Sequence, residues 1–183
     1  NFSTINTGMP INTSSDIAVL NNKDLLVGAT SPYHSNDFGQ SFQLATTQVA
    51  GSFLILGDSI IGYGSRLLQK SKDGGKTWTA FGTDRFFSFL TKDALGNGYY
   101  AYSNSSLPNT TIQEGLFYST DMINWTQIQL SGLPTGVFMA GMVIDSNGVI
   151  YALMSDNSGV GKVYKLVFGS AIDITQTIGS NNP

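Results

Sequence analysis

Cysteine is absent from the chain, so neither disulfides nor thiolate metal sites hold it together. Charge is scarce: 11% of residues are Asp, Glu, Lys or Arg, well under the usual quarter, and the net charge is −3. No basic footprint for nucleic acid exists, and a disordered chain or a coiled coil is excluded as well. No apolar run approaches the ~18 residues of a membrane span, so membrane insertion is not expected. The first ten residues lack a basic-then-apolar leader, so any leader is expected to have been removed or to lie outside these residues. Helical i, i+3, i+4 periodicity does not persist anywhere for ten residues, and there are only five prolines.

What is present is β-type. Runs of four to seven residues rich in Ile, Val, Leu, Tyr and Phe alternate with turns of Asn, Asp, Ser and Gly. Gly57-Asp58 and Asp145-Ser-Asn-Gly148 read as hairpin turns, because these residues reach positive φ at low cost. Four similar units emerge, at about residues 14–47, 48–83, 84–131 and 132–178, each predicting a four-stranded antiparallel blade. The expectation is one all-β domain of about four blades.

One motif recurs between the third and fourth runs. Ser71-Lys-Asp73-Gly-Gly75-Lys-Thr77-Trp78 matches Ser35-Asn-Asp37-Phe-Gly39-Gln-Ser41-Phe42, and Ser119-Thr-Asp121-Met-Ile-Asn-Trp125 is a copy one residue shorter. The motif serines lie 36 (35 to 71) and 48 (71 to 119) residues apart, a plausible blade period. The GGKT within it is no phosphate loop: position 70, where the first glycine should stand, is Lys70, and a strand follows instead of a helix. A calcium site would need six or more oxygens, and one carboxylate per turn is too few. The motif therefore predicts a structural turn: the Asp accepts bonds from its own backbone, the glycine supplies its conformation, and the aromatic covers the hairpin.

These residues resemble the Asp-box, or BNR repeat, of sialidase-like and xyloglucanase-like β-propellers. The resemblance implies a β-propeller and places ligands on the face away from the boxes. Sialidases of this kind bind their substrate carboxylate through three arginines, whereas this chain has only two. A xyloglucanase-like hydrolase would need two opposed carboxyls, and Asp84, Glu114, Asp145 and Asp156 are the candidates. Asp145 belongs to a hairpin turn, however, and no catalytic set converges.

On the face away from the boxes, the loops are expected at Thr30 to His34, Tyr63 to Arg66, Asn104 to Glu114 and Asp156 to Gly161. Candidate ligand-binding residues are Tyr63, Arg66, Asp84, Arg85, Glu114 and Asp156, with Tyr63 as a stacking platform. His34 alone cannot form a histidine-based zinc site and reads as a strand-end residue. No cofactor or metal is expected. Five sequons, at Asn1, Asn12, Asn104, Asn109 and Asn124, suit an extracellular, cell-surface or virion-surface protein.

The segment Asn1 to Asn6, followed by Gly8-Met9-Pro10, looks like an outer strand whose upstream box is missing. The ring is thus expected to be completed by another chain or a missing segment, with closure of four blades alone as the alternative. The expected function is a non-catalytic recognition or adhesion module that binds a glycan or a protein partner. The alternative is part of a xyloglucanase-like glycoside hydrolase whose catalytic carboxylates lie partly outside these residues.

Overall fold

The structure is a computed structural model that describes residues 16–21, 23–29, 31–45, 51–82, 85–103, 114–131, 137–156, 159–167 and 170–173. It is all-β, and no helix occurs among the described residues. None is therefore long and apolar enough to cross a membrane.

Among the described residues, sixteen strands form four sheets of four. The first blade comprises β1 (Asp16–Val19), β2 (Leu25–Gly28), β3 (Tyr33–Ser35) and β4 (Gln43–Leu44). The second comprises β5 (Ser52–Leu56), β6 (Ser59–Tyr63), β7 (Leu68–Ser71) and β8 (Thr79–Phe81). The third holds β9 (Phe89–Lys92), β10 (Tyr99–Ser103), β11 (Gly115–Ser119) and β12 (Thr126–Ile128). The fourth holds β13 (Val137–Ile144), β14 (Ile150–Asp156), β15 (Gly161–Val167) and β16 (Ser170–Asp173). Every blade is an antiparallel meander in chain order. Short turns dictate this order, since an antiparallel pair closes over two residues and a parallel one cannot. Gly57, at φ 56°, and Asp58 join β5 to β6, and Asp145 accepts backbone N–H bonds across the β13–β14 turn.

The chain divides into two compact units, residues 1–86 and 87–183. In the first, Leu26 and Ala45 of blade 1 pack with Phe53, Ile60 and Trp78 of blade 2. The Asp16 carboxylate accepts the Phe53 N–H at 2.9 Å across the same junction. In the second unit, Tyr102 and Leu116 of blade 3 pack with Met139, Ala152, Met154 and Tyr164 of blade 4.

Several loop boundaries differ from expectation. Tyr33 and His34 belong to β3, where they pair with Val27 and Leu26; facing those apolar partners draws them into the sheet. Tyr63 ends β6 opposite Ser52, and Asp156 ends β14 opposite Val137, so ladder pairing carries both past the expected loop start. Gly161 likewise begins β15, paired with Ser155.

Candidate functional site

The meander places β3–β4, β7–β8 and β11–β12 turns at one end of each blade and β2–β3, β6–β7, β10–β11 and β14–β15 loops at the other. At the first end the three Ser-Asp turns repeat one hydrogen-bond pattern. Ser71 Oγ donates to Asp73 Oδ1 at 2.8 Å and accepts the Gly75 N–H at 2.8 Å, while Asp73 Oδ1 also accepts the Thr77 N–H at 2.9 Å. The Thr77 hydroxyl donates to Asp73 Oδ2, so both carboxylate oxygens serve the turn itself. Ser35, Asp37, Gly39 and Ser41 make the same set.

The shorter third copy solves the same problem with fewer atoms. Met122 stands at φ 59°, and its N–H takes the bond to Ser119 Oγ that Gly39 and Gly75 make elsewhere. Asp121 accepts the Ile123 and Asn124 N–H groups and the Asn124 side-chain amide, each at 2.8 Å. Each tryptophan closes its own turn: Trp78 Nε1 donates to the Gly75 carbonyl at 2.9 Å, and Trp125 Nε1 to that of Met122 at 3.1 Å. Trp78 stacks on Phe53, and Trp125 leans on Phe87 with ring centroids 4.6 Å apart.

These bonds shift the acids. Bonds from the side chain and backbone of Ser41, then from Ser35, hold Asp37 down to about 2. Desolvation pushes Asp73 upward, but the Thr77, Ser71 and Lys76 donors together outweigh it and bring it to about 2. Asp121 is held low by the backbone of Asn124 and Ile123. A carboxylate depressed on folding contributes stability above its unfolded pKa, near 3.9, which is lost as pH falls through the folded value. We therefore expect a drop in melting temperature between about pH 4 and pH 2. Asp37→Asn with Asp73→Asn should start lower at pH 6 and fall less over that window, as read by calorimetry at closely spaced pH.

At the opposite end the first unit brings two candidates together. The Arg85 N–H donates to the Arg66 carbonyl at 2.7 Å, so the connection leaving blade 2 is tied to its β6–β7 loop. Ser65 Oγ donates to the Leu67 carbonyl at 2.8 Å, tightening the same loop. Tyr63 is half-buried at the end of β6 beside Gly64, whose φ is 96°. Arg66 is exposed and Arg85 half-buried, and burial lowers the Arg85 pKa.

Glu114 belongs to the second unit. It is exposed, and its Oε1 accepts a bond from the Tyr102 hydroxyl at 3.3 Å. Burial, then the Glu114 charge, pushes the Tyr102 phenol upward, which keeps it protonated and makes it a poor nucleophile. This contact joins residues twelve positions apart and leaves no local trace in the sequence. Asp156 closes β14 in the same unit. Asp84, Asn1, Asn12, Asn104 and Asn109 lie outside the described residues. His34 is buried in β3, where desolvation lowers its pKa. Among the described residues, no three His, Cys, Asp or Glu side chains group as metal ligands. A shallow groove of about 340 Å³ runs along the outer strands of blade 2, lined by Lys70, Lys72, Thr79 and Phe81 among others.

Neither a protein family nor a curated protein matches the sequence. Solved structures do resemble it. The GH74 xyloglucanase of Xanthomonas campestris matches at TM-score 0.63 and 17% identity, over 91% of this chain and 30% of that one. The extracellular domain of BT4673, a putative one-component system of B. thetaiotaomicron, matches at TM-score 0.67 and 12% identity, over 93% of this chain and 23% of that one. YCF48 bound to D1 peptide matches at TM-score 0.61 and 15% identity, over 91% of this chain and 56% of that one. The chain thus spans only part of each neighbour. At these identities the likeness establishes the fold: four antiparallel, four-stranded blades of a β-propeller.

Proposed function

We propose that this chain is a non-catalytic recognition module, extracellular or surface-exposed, whose ligand sits on the loop end opposite the Ser-Asp turns. The turns are then Asp-boxes that brace each blade. The observation that carries this reading is the division of labour between the two ends. At one end both carboxylate oxygens of Asp37 and of Asp73 are spent on their own turns. At the other, a backbone bond from the Arg85 N–H to the Arg66 carbonyl ties the connection leaving blade 2 to the β6–β7 loop that follows Tyr63. Arginine and tyrosine are the residue types that suit an acidic sugar or a peptide carboxylate, through paired hydrogen bonds and stacking.

Among the structural neighbours one is a xyloglucanase and another was solved with a peptide bound, which makes glycans and peptides the two classes to test. A hydrolytic role is the second reading, favoured by the GH74 neighbours. It requires two carboxyls about 5–9.5 Å apart across a cleft. The one described carboxylate at this end with a side-chain partner, Glu114, is bonded to a protonated tyrosine.

The test is a binding screen against xyloglucan oligosaccharides, uronic-acid and sialic-acid glycans, and carboxyl-terminal peptides. Arg66→Ala with Arg85→Lys should weaken the best binder at least about tenfold, the loss expected when charge-assisted bonds go, with melting unchanged. If no probe binds while xyloglucan is cleaved, and Glu114→Gln abolishes that cleavage, the recognition reading falls and the hydrolase reading stands.

A further inference from the structure

Asparagine followed by glycine is the dipeptide most prone to spontaneous loss of the side-chain amide. The chain carries it in two hairpin turns of the second unit, at Asn97-Gly98 and Asn147-Gly148. In that reaction the glycine backbone nitrogen attacks the asparagine Cγ and a C–N bond forms. The Cγ–Nδ2 bond breaks, and the proton of the attacking nitrogen passes through solvent to the departing amide, which leaves as ammonia. Water then opens the succinimide ring at either carbonyl, to give aspartate or isoaspartate. Glycine favours the attack because no Cβ stands beside its nitrogen. The nitrogen must also turn toward Cγ, so a hydrogen bond held by the glycine N–H opposes the reaction.

The two turns differ on that point. In the β13–β14 turn the Gly148 N–H donates to the Asp145 carbonyl at 3.0 Å. The Asp145 carboxylate accepts the Asn147 and Val149 N–H groups at 2.8 and 2.9 Å, so Asn147 is held from both sides. In the β9–β10 turn the matching bond, to the Asp93 carbonyl at 2.9 Å, comes from Gly96 instead. This turn closes from the Asp93 N–H to the Gly98 carbonyl at 2.8 Å, one residue later than the Asp145–Val149 closure, and Asn97 is the additional residue. Among the described residues the Gly98 N–H finds no acceptor and the Asp93 carboxylate no donor. Gly98 is buried against Tyr118, but the Asn97 side chain, which must swing onto its nitrogen, is exposed.

We infer that Asn97 is a site of spontaneous deamidation in the folded protein, and that Asn147, in the same dipeptide, is protected by its turn. The isoaspartyl product routes the main chain through the former side chain and lengthens the turn by one carbon. Gly98 has no room to absorb this: its carbonyl closes the turn, and a Cβ on it would already lie 2.4 Å from the Tyr118 hydroxyl. The change therefore loosens the pairing of Tyr99 with Lys92 that starts the β9–β10 ladder. The aspartyl product keeps the turn length, and its new carboxylate gains a cationic neighbour, since Lys92 Nζ stands 3.3 Å from the Cβ position of Gly96. Of the two products, isoaspartate is the destabilising one.

The test is peptide mapping by mass spectrometry, with isoaspartate-specific methyl labelling, on the folded chain held for weeks at mildly alkaline pH. Asn97 should convert at least about tenfold faster than Asn147, the factor that roughly one net hydrogen bond carries. In urea the two sites should convert at similar rates, because neither turn then holds its glycine. Asp145→Ala should speed Asn147 and leave Asn97 unchanged. Asn97→Asp should keep the wild-type melting temperature, whereas the isoaspartyl fraction, separated by ion exchange, should melt lower. Equal rates at the two sites in the folded chain, faster conversion at Asn147, or a folded chain silent at Asn97 while reactive in urea would each overturn the inference.

Discussion

Trp78→Ala lowers the unfolding free energy by about 3–5 kcal/mol, the range for truncating a buried large aromatic. Trp78 is 7% exposed and belongs to the cluster joining the first two blades. It contributes in three ways. Its ring stacks on Phe53 with centroids 5.9 Å apart, its burial removes apolar area from water, and its indole N–H satisfies the Gly75 carbonyl. Truncation leaves a cavity and an unpaired carbonyl together, so the loss exceeds the transfer term alone. Phe38→Ala is the control: Phe38 lies in the equivalent turn of blade 1 but is 60% exposed, and its effect should stay within about 0.5 kcal/mol. Urea unfolding of the three proteins measures the contrast.

Gly28→Ala is expected to cost about as much, roughly 3–5 kcal/mol, or to prevent soluble folding altogether. A Cβ on Gly28 would lie 1.8 Å from the Gly51 carbonyl oxygen, a backbone atom that cannot rotate away. Blade 2 begins immediately after Gly51, and Phe53 stands 3.2 Å from the same point, so the clash wedges the junction between blades 1 and 2. Gly148→Ala separates this from backbone strain. Gly148 has φ 79° and nothing within 4 Å of its Cβ position, so only the left-handed conformation is penalised, by about 1–2 kcal/mol. Equal losses in the two variants would contradict the close-packed junction.

Most of the fold was legible because its signals are local. Apolar alternation and the Gly57-Asp58 turn each act within a few residues, so the strands and their meander order follow from short windows. The Ser-Asp turns were readable for the same reason, since Ser71, Asp73, Gly75 and Thr77 bond to one another within seven residues. The long-range features were not. Gly28 meets Gly51 across a blade junction, and Tyr102 meets Glu114 twelve residues further along the chain. Neither pairing leaves a periodic trace in the chain. The third turn shows a subtler limit: it lacks the expected glycine, and Met122 adopts the positive φ itself, with its side chain buried in return. The loop boundaries at His34 and Tyr63 moved because ladder pairing outlasts the apolar pattern.

At the candidate site, Arg66, Arg85 and Tyr63 are candidates from residue type and loop position alone. What could not be read was the Arg85-to-Arg66 backbone bond that holds them together, which depends on how the chain leaves blade 2.

The proposed recognition role requires rigid Ser-Asp corners, and amide hydrogen exchange in the ligand-free protein tests that rigidity most directly. The N–H groups of Gly39, Gly75 and Met122, each bonded to a buried serine oxygen, should exchange only through global unfolding and lose that protection in Asp73→Asn at Gly75 alone. Exchange of those three amides at the rate of an open loop would show that the corners are not braces.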